Sequence, residues 1–130
     1  MPHLMELDVF DAKNGNLVVF EKLIPGNIKR VFFIYGVDTE QVRGGHRHHK
    51  TWNAISCIQG SCRIYCNNGK EEKFYNLDSP NVCLILKPED WHTMDSFSSD
   101  AILMCLASEY YSIDDYIDEP YPNSTLSLTI

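Results

Sequence analysis

The chain has 130 residues, 44% of them apolar, and a net charge of −7 from 11 basic and 18 acidic side chains. That length fits one domain with a core of its own, so neither disulfides nor a structural metal is called for. The acidic balance repels nucleic acid. The longest apolar runs, VCLIL and AILMCLA, are far too short to cross a membrane as helices.

In chain order, the hydrophobic pattern predicts strands. Asn14-Gly15 is a hairpin-turn dipeptide, followed by LVVFEKL at 17–23. IKRVFFIYGV at 28–37 is rich in β-branched and aromatic residues, as strands prefer. RGGHRHHKTW at 43–52 reads as another extended segment. Residues 53–77 form three strands broken at Gln59-Gly60 and at Asn67-Asn68-Gly69. VCLILKP, WHTMDSF and AILMCLAS continue the series, with Pro80 and Pro88 at turns. Only 108–117, SEYYSIDDYI, suggests a short helix, with Ser112 and Asp115 spaced as a capping pair. Residues from about 118 to 130 are expected as a C-terminal arm or loose tail. Many short strands with regular turns predict a single all-β domain over 1–130, an antiparallel sandwich or barrel.

Charge is spread unevenly. Lys29, Arg30, Arg43, Arg47 and Lys50 fall within 22 residues opposed only by Asp38 and Glu40, whereas no Lys or Arg follows Lys87. A small anion such as a phosphate could be received in that basic window, which as readily reads as a solvated face. The five cysteines form no C-x-x-C pair and no secretory leader opens the sequence. They are expected as buried reduced thiols of a cytoplasmic protein.

Three of the five histidines stand within four positions, His46, His48 and His49. On a strand, His46 and His48 share one face, with Arg47 and His49 on the other. Two imidazoles side by side in a pocket suit proton transfer: histidine titrates near neutrality, and adjacent rings push each other's pKa values apart. His-x-His on a strand is equally the start of a metal site in cupins, completed there by a Glu three or four residues on and a later His. The later His has an echo in His92, beside Trp91; the alternative for His92 is a hydrogen bond to backbone. Where the Glu is expected stand Trp52 and Asn53. Imidazoles without that carboxylate still suit zinc or copper. Proton transfer, metal binding and a structural role all remain open on these residues alone. His3 and His49 read as surface residues.

The segments IKRVFFIYGV, RGGHRHHK, IQGSCRIYCNNG and the run from NLDSPNVCLILKPEDWHTM to ASEYYSIDDYI cover about 17–117 in order. In them the sequence resembles the dTDP-sugar 3,4-ketoisomerases, the WxcM-like cupins of deoxysugar biosynthesis for lipopolysaccharide or S-layer glycans. The resemblance implies a cupin barrel, a homodimer with exchanged N-terminal strands, and neither metal nor cofactor. The implied substrate is dTDP-4-keto-6-deoxyglucose, whose keto group moves from C4 to C3. The family's functional histidines fall on His46 and His48, and its arginines near the nucleotide on Arg30 and Arg43. With that chemistry, His48 is expected as the base at C3 and His46 as its proton-moving partner. Tyr35 is expected near the sugar, with Trp91 and His92 as further substrate contacts. The sequence departs from the usual RG-x-H-A-H-K-K followed by Glu-Gln. Arg47 replaces a small residue, His49 a Lys, and Trp52-Asn53 the Glu-Gln pair. If the strand ran on unbroken, Trp52 would share the face of His46 and His48 and reshape the pocket.

Overall fold

A computed structural model describes residues 1–126. Twelve strands account for nearly all its regular structure: β1 (His3–Glu6), β2 (Val9–Ala12), β3 (Gly15–Val18), β4 (Arg30–Tyr35), β5 (Arg43–His48), β6 (Asn53–Gln59), β7 (Cys62–Asn67), β8 (Glu72–Leu77), β9 (Val82–Leu86), β10 (Trp91–Asp95), β11 (Ile102–Ala107) and β12 (Tyr116–Ile117). They form two five-stranded antiparallel sheets, ordered β1-β9-β6-β11-β4 and β12-β5-β10-β7-β8, and a separate β2-β3 hairpin. This is the all-β, cupin-type jelly roll expected from the pattern of short strands.

The main core lies between the two sheets. Ile55, Cys57, Ile64, Leu77, Leu84, Leu86, Phe97 and Leu103 are among its fully enclosed members. Each such aliphatic or aromatic side chain contributes roughly 1.5–3 kcal/mol by leaving water. A second cluster, of Ile24, Ala54, Cys83, Ile85 and Leu106, is covered by Met5, Leu7, Phe20, Leu23 and Trp52. Residues 19–24 are therefore a cover on one sheet, and the predicted strand at 17–23 stops at Val18. All five cysteines are buried free thiols, and burial pushes those of Cys83 and Cys105 up to about 12.

One further expectation changes. The predicted helix at 108–117 is a single 3₁₀ turn, Ile113–Asp115, and Ser112 makes no side-chain cap there. The Asp115 carboxylate is drawn away instead, to β5 and the bend after it. Beyond that turn, the Trp91 indole N–H donates to the Asp118 carbonyl (3.1 Å) and the Tyr121 hydroxyl to that of Glu89 (2.8 Å). The expectation for 127–130 lies outside the described residues.

Candidate active site

Strand β5 carries the histidine cluster, and its geometry depends on a bulge. His46 stands opposite His92 of β10, but Gly44 stands opposite Thr93, so Gly45 is an extra residue in the ladder. Gly44 and Gly45 both adopt φ above +80°, a conformation that side chains resist, and a Cβ on Gly44 would press on the His92 carbonyl. The extra residue resets the alternation. Arg43 consequently lines the same cavity as Gly44, His46 and His48, a face that strict period-two counting denies it.

That cavity, about 180 Å³, opens between the sheets. Arg30, Phe32 and Ile34 of β4, Asn53 and Ile55 of β6, His92 and Met94 of β10, and Tyr116 of β12 complete much of its wall. The ring centroids of His46 lie 5.2 Å from His48 and 5.0 Å from His92, and Tyr116 packs edge-on at 4.7 and 4.6 Å from His46 and His48. A larger, more open cleft of about 390 Å³ is lined by Lys29, His49, Lys50 and Asp114 and also reaches Asp115, but holds none of these three rings.

Two of the three rings are held from behind. His48 Nδ1 lies 3.0 Å from the Asp115 carboxylate, which also accepts from the Lys50 backbone N–H (2.8 Å) and the Thr51 hydroxyl. Burial opposes ionisation of Asp115, but the Thr51 and Lys50 bonds and the adjoining His48 outweigh it and hold the carboxyl below its ordinary value. An ionised carboxylate only accepts, so the proton of neutral His48 sits on Nδ1 and Nε2 is left with its lone pair. His92 Nδ1 lies 3.0 Å from the Asp90 carbonyl, which fixes the same tautomer. His46 sits between them, ring to ring with His48, His92 and Tyr116.

Burial lowers all three histidines to about 4. For His46 the next causes are His48 and then Arg30, for His92 it is His46, and for His48 it is His92, against which the Asp115 carboxylate pulls upward without prevailing. Near neutral pH the cavity therefore holds three uncharged imidazoles beside two guanidinium groups.

The sequence-derived residues divide cleanly. His46, His48, His92, Arg30 and Arg43 all line the cavity. Tyr35 does not: on β4 the inward positions are Arg30, Phe32 and Ile34, and Tyr35 points outward, 73% exposed. Trp91 does not either; it is 1% exposed, packed edge-on against Tyr65 and tied to Asp118, so within the chain it is core rather than a stacking platform. Trp52 also stays out, because β5 ends at His48 and the following bend turns the indole onto the second core cluster. Of the two residues standing where a cupin carboxylate is expected, Asn53 is the one in the cavity wall. Among the described residues, no three His, Cys, Asp or Glu side chains are grouped to hold a metal ion.

Tyr116 was not singled out from the sequence, and Asp115 only as half of a capping pair. Their signal is the acidic-aromatic DDY run beyond the last long strand, which the capping pattern assigned to a helix.

Fold and site together define a cupin-type barrel with an imidazole-lined cavity. Residues 1–123 match the family model described as FdtA: WxcM-like, C-terminal, and the chain belongs to that family. Among curated proteins, it is 45% identical over 111 residues to the TDP-4-oxo-6-deoxy-alpha-D-glucose-3,4-oxoisomerase of Aneurinibacillus thermoaerophilus, covering 84% of this chain and 79% of the relative. Among solved structures, it is similar to the 3,4-ketoisomerase QdtA of Thermoanaerobacterium thermosaccharolyticum, as a histidine-to-asparagine variant in complex with TDP-4-keto-6-deoxyglucose. The TM-score is 0.85 at 37% identity, over 91% of this chain and 87% of that one. The WlaRB TDP-quinovose 3,4-ketoisomerase of Campylobacter jejuni matches with a TM-score of 0.86 at 32% identity, over 91% and 92%.

Proposed function

We propose that the protein is a sugar-nucleotide 3,4-ketoisomerase that converts dTDP-4-keto-6-deoxyglucose to a dTDP-3-keto-6-deoxyhexose. The observation that carries the mechanism is the set of three uncharged imidazoles around one cavity, with His48 anchored through Nδ1 by Asp115. The proton at C3, alpha to the C4 ketone, must leave to form an enediol, and C4 must then be protonated. A neutral imidazole whose lone pair faces the cavity suits the first step. His48 is the better base of the β5 pair, because the Asp115 carboxylate supports the imidazolium that forms there, whereas Arg30 stands against a charge on both rings. His46, ring to ring with His48, is the partner that passes the proton on to C4. Arg30 and Arg43 are suited to the diphosphate, since guanidinium forks match phosphate oxygens. His92 presents a lone pair to a sugar hydroxyl. None of these steps needs a metal or an organic cofactor.

The protein acts in this reading as a homodimer with exchanged N-terminal strands, within the cytoplasm, in one folded domain spanning the chain. Support for a second copy comes from the surface. Edge strand β4 exposes Val31, Phe33 and Tyr35, and the β2-β3 hairpin exposes Val9, Phe10 and Leu17. Strand β1 pairs with β9 of its own chain, so the separate hairpin is the element freest to be exchanged. No helix among the described residues is long and apolar enough to cross a membrane.

Proton NMR of the purified protein with dTDP-4-keto-6-deoxyglucose in D₂O and EDTA tests the activity. Loss of the C3 proton signal and growth of a 3-keto species is the expected result, and the C4 coupling gives the product stereochemistry. No exchange at high protein concentration would overturn the reading for this sugar. Activity that appears only after a transition metal is restored would favour a metal-dependent cupin. Tight binding of the sugar nucleotide with no exchange would make the protein a binder.

A further inference from the structure

The functional reading leaves Arg47 and the segment after β12 without a part. Strand β12 is two residues long and stands at the edge of its sheet, against β5. Yet it carries Tyr116 in the cavity wall, and the residue before it, Asp115, holds His48. So short an edge strand makes few ladder bonds of its own and depends on what is fastened on either side of it.

Beyond β12 the chain crosses the outer face of that sheet. Period-two alternation turns Arg47 and Trp91 away from the cavity that His46, His48, His92 and Met94 line. Trp91 and Tyr65 are each 1% exposed. The Trp91 indole donates to the Asp118 carbonyl, Tyr65 shares a 3.0 Å hydrogen bond with Ser124, and the Thr125 backbone N–H donates to Glu72 of β8 (3.2 Å). Tyr121 stands in the middle of this crossing. Its hydroxyl donates to the Glu89 carbonyl, and a Cβ on Gly69 would come within 3.1 Å of its ring, so the turn after β7 leaves room for it by having no side chain there. The Arg47 guanidinium lies over the same ring, 4.4 Å from its centroid. The Arg47 Nε is buried and, among the described residues, without a hydrogen-bond partner, so the π face of Tyr121 is what meets this cation. Arg47 is also the β5 residue paired with Ile117 of β12, and it adjoins His48. The Arg47–Tyr121 contact therefore closes a short loop of chain, tying residue 121 to the strand on which 116 and 117 must lie.

We propose that Arg47 and Tyr121 are positioning residues: their contact on the outer face straps β12 to β5 and so keeps the Asp115 carboxylate on His48. As a role in catalysis, this rests on the 3,4-ketoisomerase reading. With the strap undone, the short strand opens for part of the time and His48 loses the acceptor that selects its tautomer. In those molecules its proton moves to Nε2, and the lone pair no longer faces the cavity. His92 is spared, because its anchor is closed separately: the Asp90 backbone N–H donates to the Lys87 carbonyl (3.0 Å) and the Asp90 carboxylate accepts from the Lys87 N–H (2.8 Å).

The test sets Tyr121→Ala beside Tyr121→Phe in the full chain, with kinetics on dTDP-4-keto-6-deoxyglucose and nitrogen-15 NMR of labelled histidines at pH 7. In Tyr121→Ala, kcat is expected to fall by about tenfold while KM changes by less than about threefold. The Nε2-protonated form of His48 should appear, with His92 unchanged. Tyr121→Phe keeps the ring over Arg47 and should keep kcat and both tautomers. In an Asp115→Asn background the carboxylate is already gone, so adding Tyr121→Ala should lower kcat by less than about threefold further. Melting temperatures establish that each variant is folded; if Tyr121→Ala is not, Arg47→Met, which removes the cation and keeps the stem, is read in its place with the same expectations.

An unchanged kcat and His48 tautomer in the folded variant would overturn the proposal. So would an equal shift at His48 and His92, or a full tenfold loss in the Asp115→Asn background, since either would make the strap a general support of the fold. A loss in Tyr121→Phe as large as that in Tyr121→Ala would also overturn it, by assigning the effect to the Glu89 bond. If the unmodified protein turns over no sugar, the functional reading fails, while the tautomers still decide whether the strap holds Asp115 on His48.

Discussion

Strand β6 runs through two kinds of interior. Asn53 and Ile55 face the cavity, while Cys57, two residues on and on the same face, is sealed in the core with Phe97, Leu103 and Leu77. Strand β10 makes the same passage, from His92 and Met94 at the cavity to Phe97 just beyond the strand's end. The pleat and the sheets are shared; the side chains differ. Where large apolar groups meet, the space between the sheets is filled. Where histidine, asparagine and arginine replace them, it stays open, and the His48 and His92 rings are tied to anchors behind them. The filled part holds the sheets at a fixed separation, and the open part uses that separation to aim imidazoles.

The largest expected effect comes from removing the base. His48→Asn should cut turnover by about a thousandfold, with dTDP-sugar affinity little changed, as measured by NMR turnover and calorimetry. In the filled part the effect is on stability instead. Phe97→Ala empties a site that is fully enclosed and should cost about 3–5 kcal/mol in urea unfolding, while the residual folded protein keeps its turnover number.

Acid should separate the parts next. His92 is 2% exposed and titrates near 4 when folded, against an ordinary value of 6.5. Between those values the unfolded chain binds the proton and the folded one does not, so stability falls as pH drops through this window. The loss at His92 alone is about 3 kcal/mol by pH 4, measurable by urea unfolding at pH 7.5 and 4.5. The same lowering keeps the cavity bases neutral in mild acid, so the acidic limb of kcat/KM should lie well below 6.5.

Asp115→Asn keeps the shape of the anchor but removes the charge that selects the His48 tautomer, and should lower kcat by about a hundredfold with a smaller change in KM. Steady-state kinetics read the split. Trp52→Phe should be the mildest, leaving kcat/KM within about threefold, because Trp52 packs on the second core cluster and not in the cavity. A large loss there would mean that the bend after β5 is itself set by the indole.

Much of this was legible in the sequence. Alternating apolar residues and Gly or Asn turns mark most strands, and His46 and His48 share a face as period two requires. Arg43 defeats that rule, because the Gly44-Gly45 bulge shifts the register and counting along the strand cannot foresee it. Tyr35 and Trp91 are aromatic residues beside site residues in sequence, yet pleating turns Tyr35 outward and the tail draws Trp91 into the core. Asp115 looked like a helix cap, but its carboxylate is held by three partners 64 to 67 residues away, a long-range competition no local pattern contains. Tyr116 was hidden for the same reason, since it reaches the cavity only through the pairing of β12 with β5. The hairpin did form at the Asn-Gly signal, with its turn at Lys13-Asn14 and Gly15 already in the ladder.

The central claim is that the cavity holds uncharged imidazoles whose free nitrogens face the substrate. Nitrogen-15 NMR of histidine-labelled protein reads this directly. At pH 7, His48 and His92 should appear as neutral rings protonated on Nδ1, and they should stay so as the pH falls to about 5. A ring in either position that is protonated on both nitrogens at pH 7, or carries its single proton on Nε2, would contradict the account.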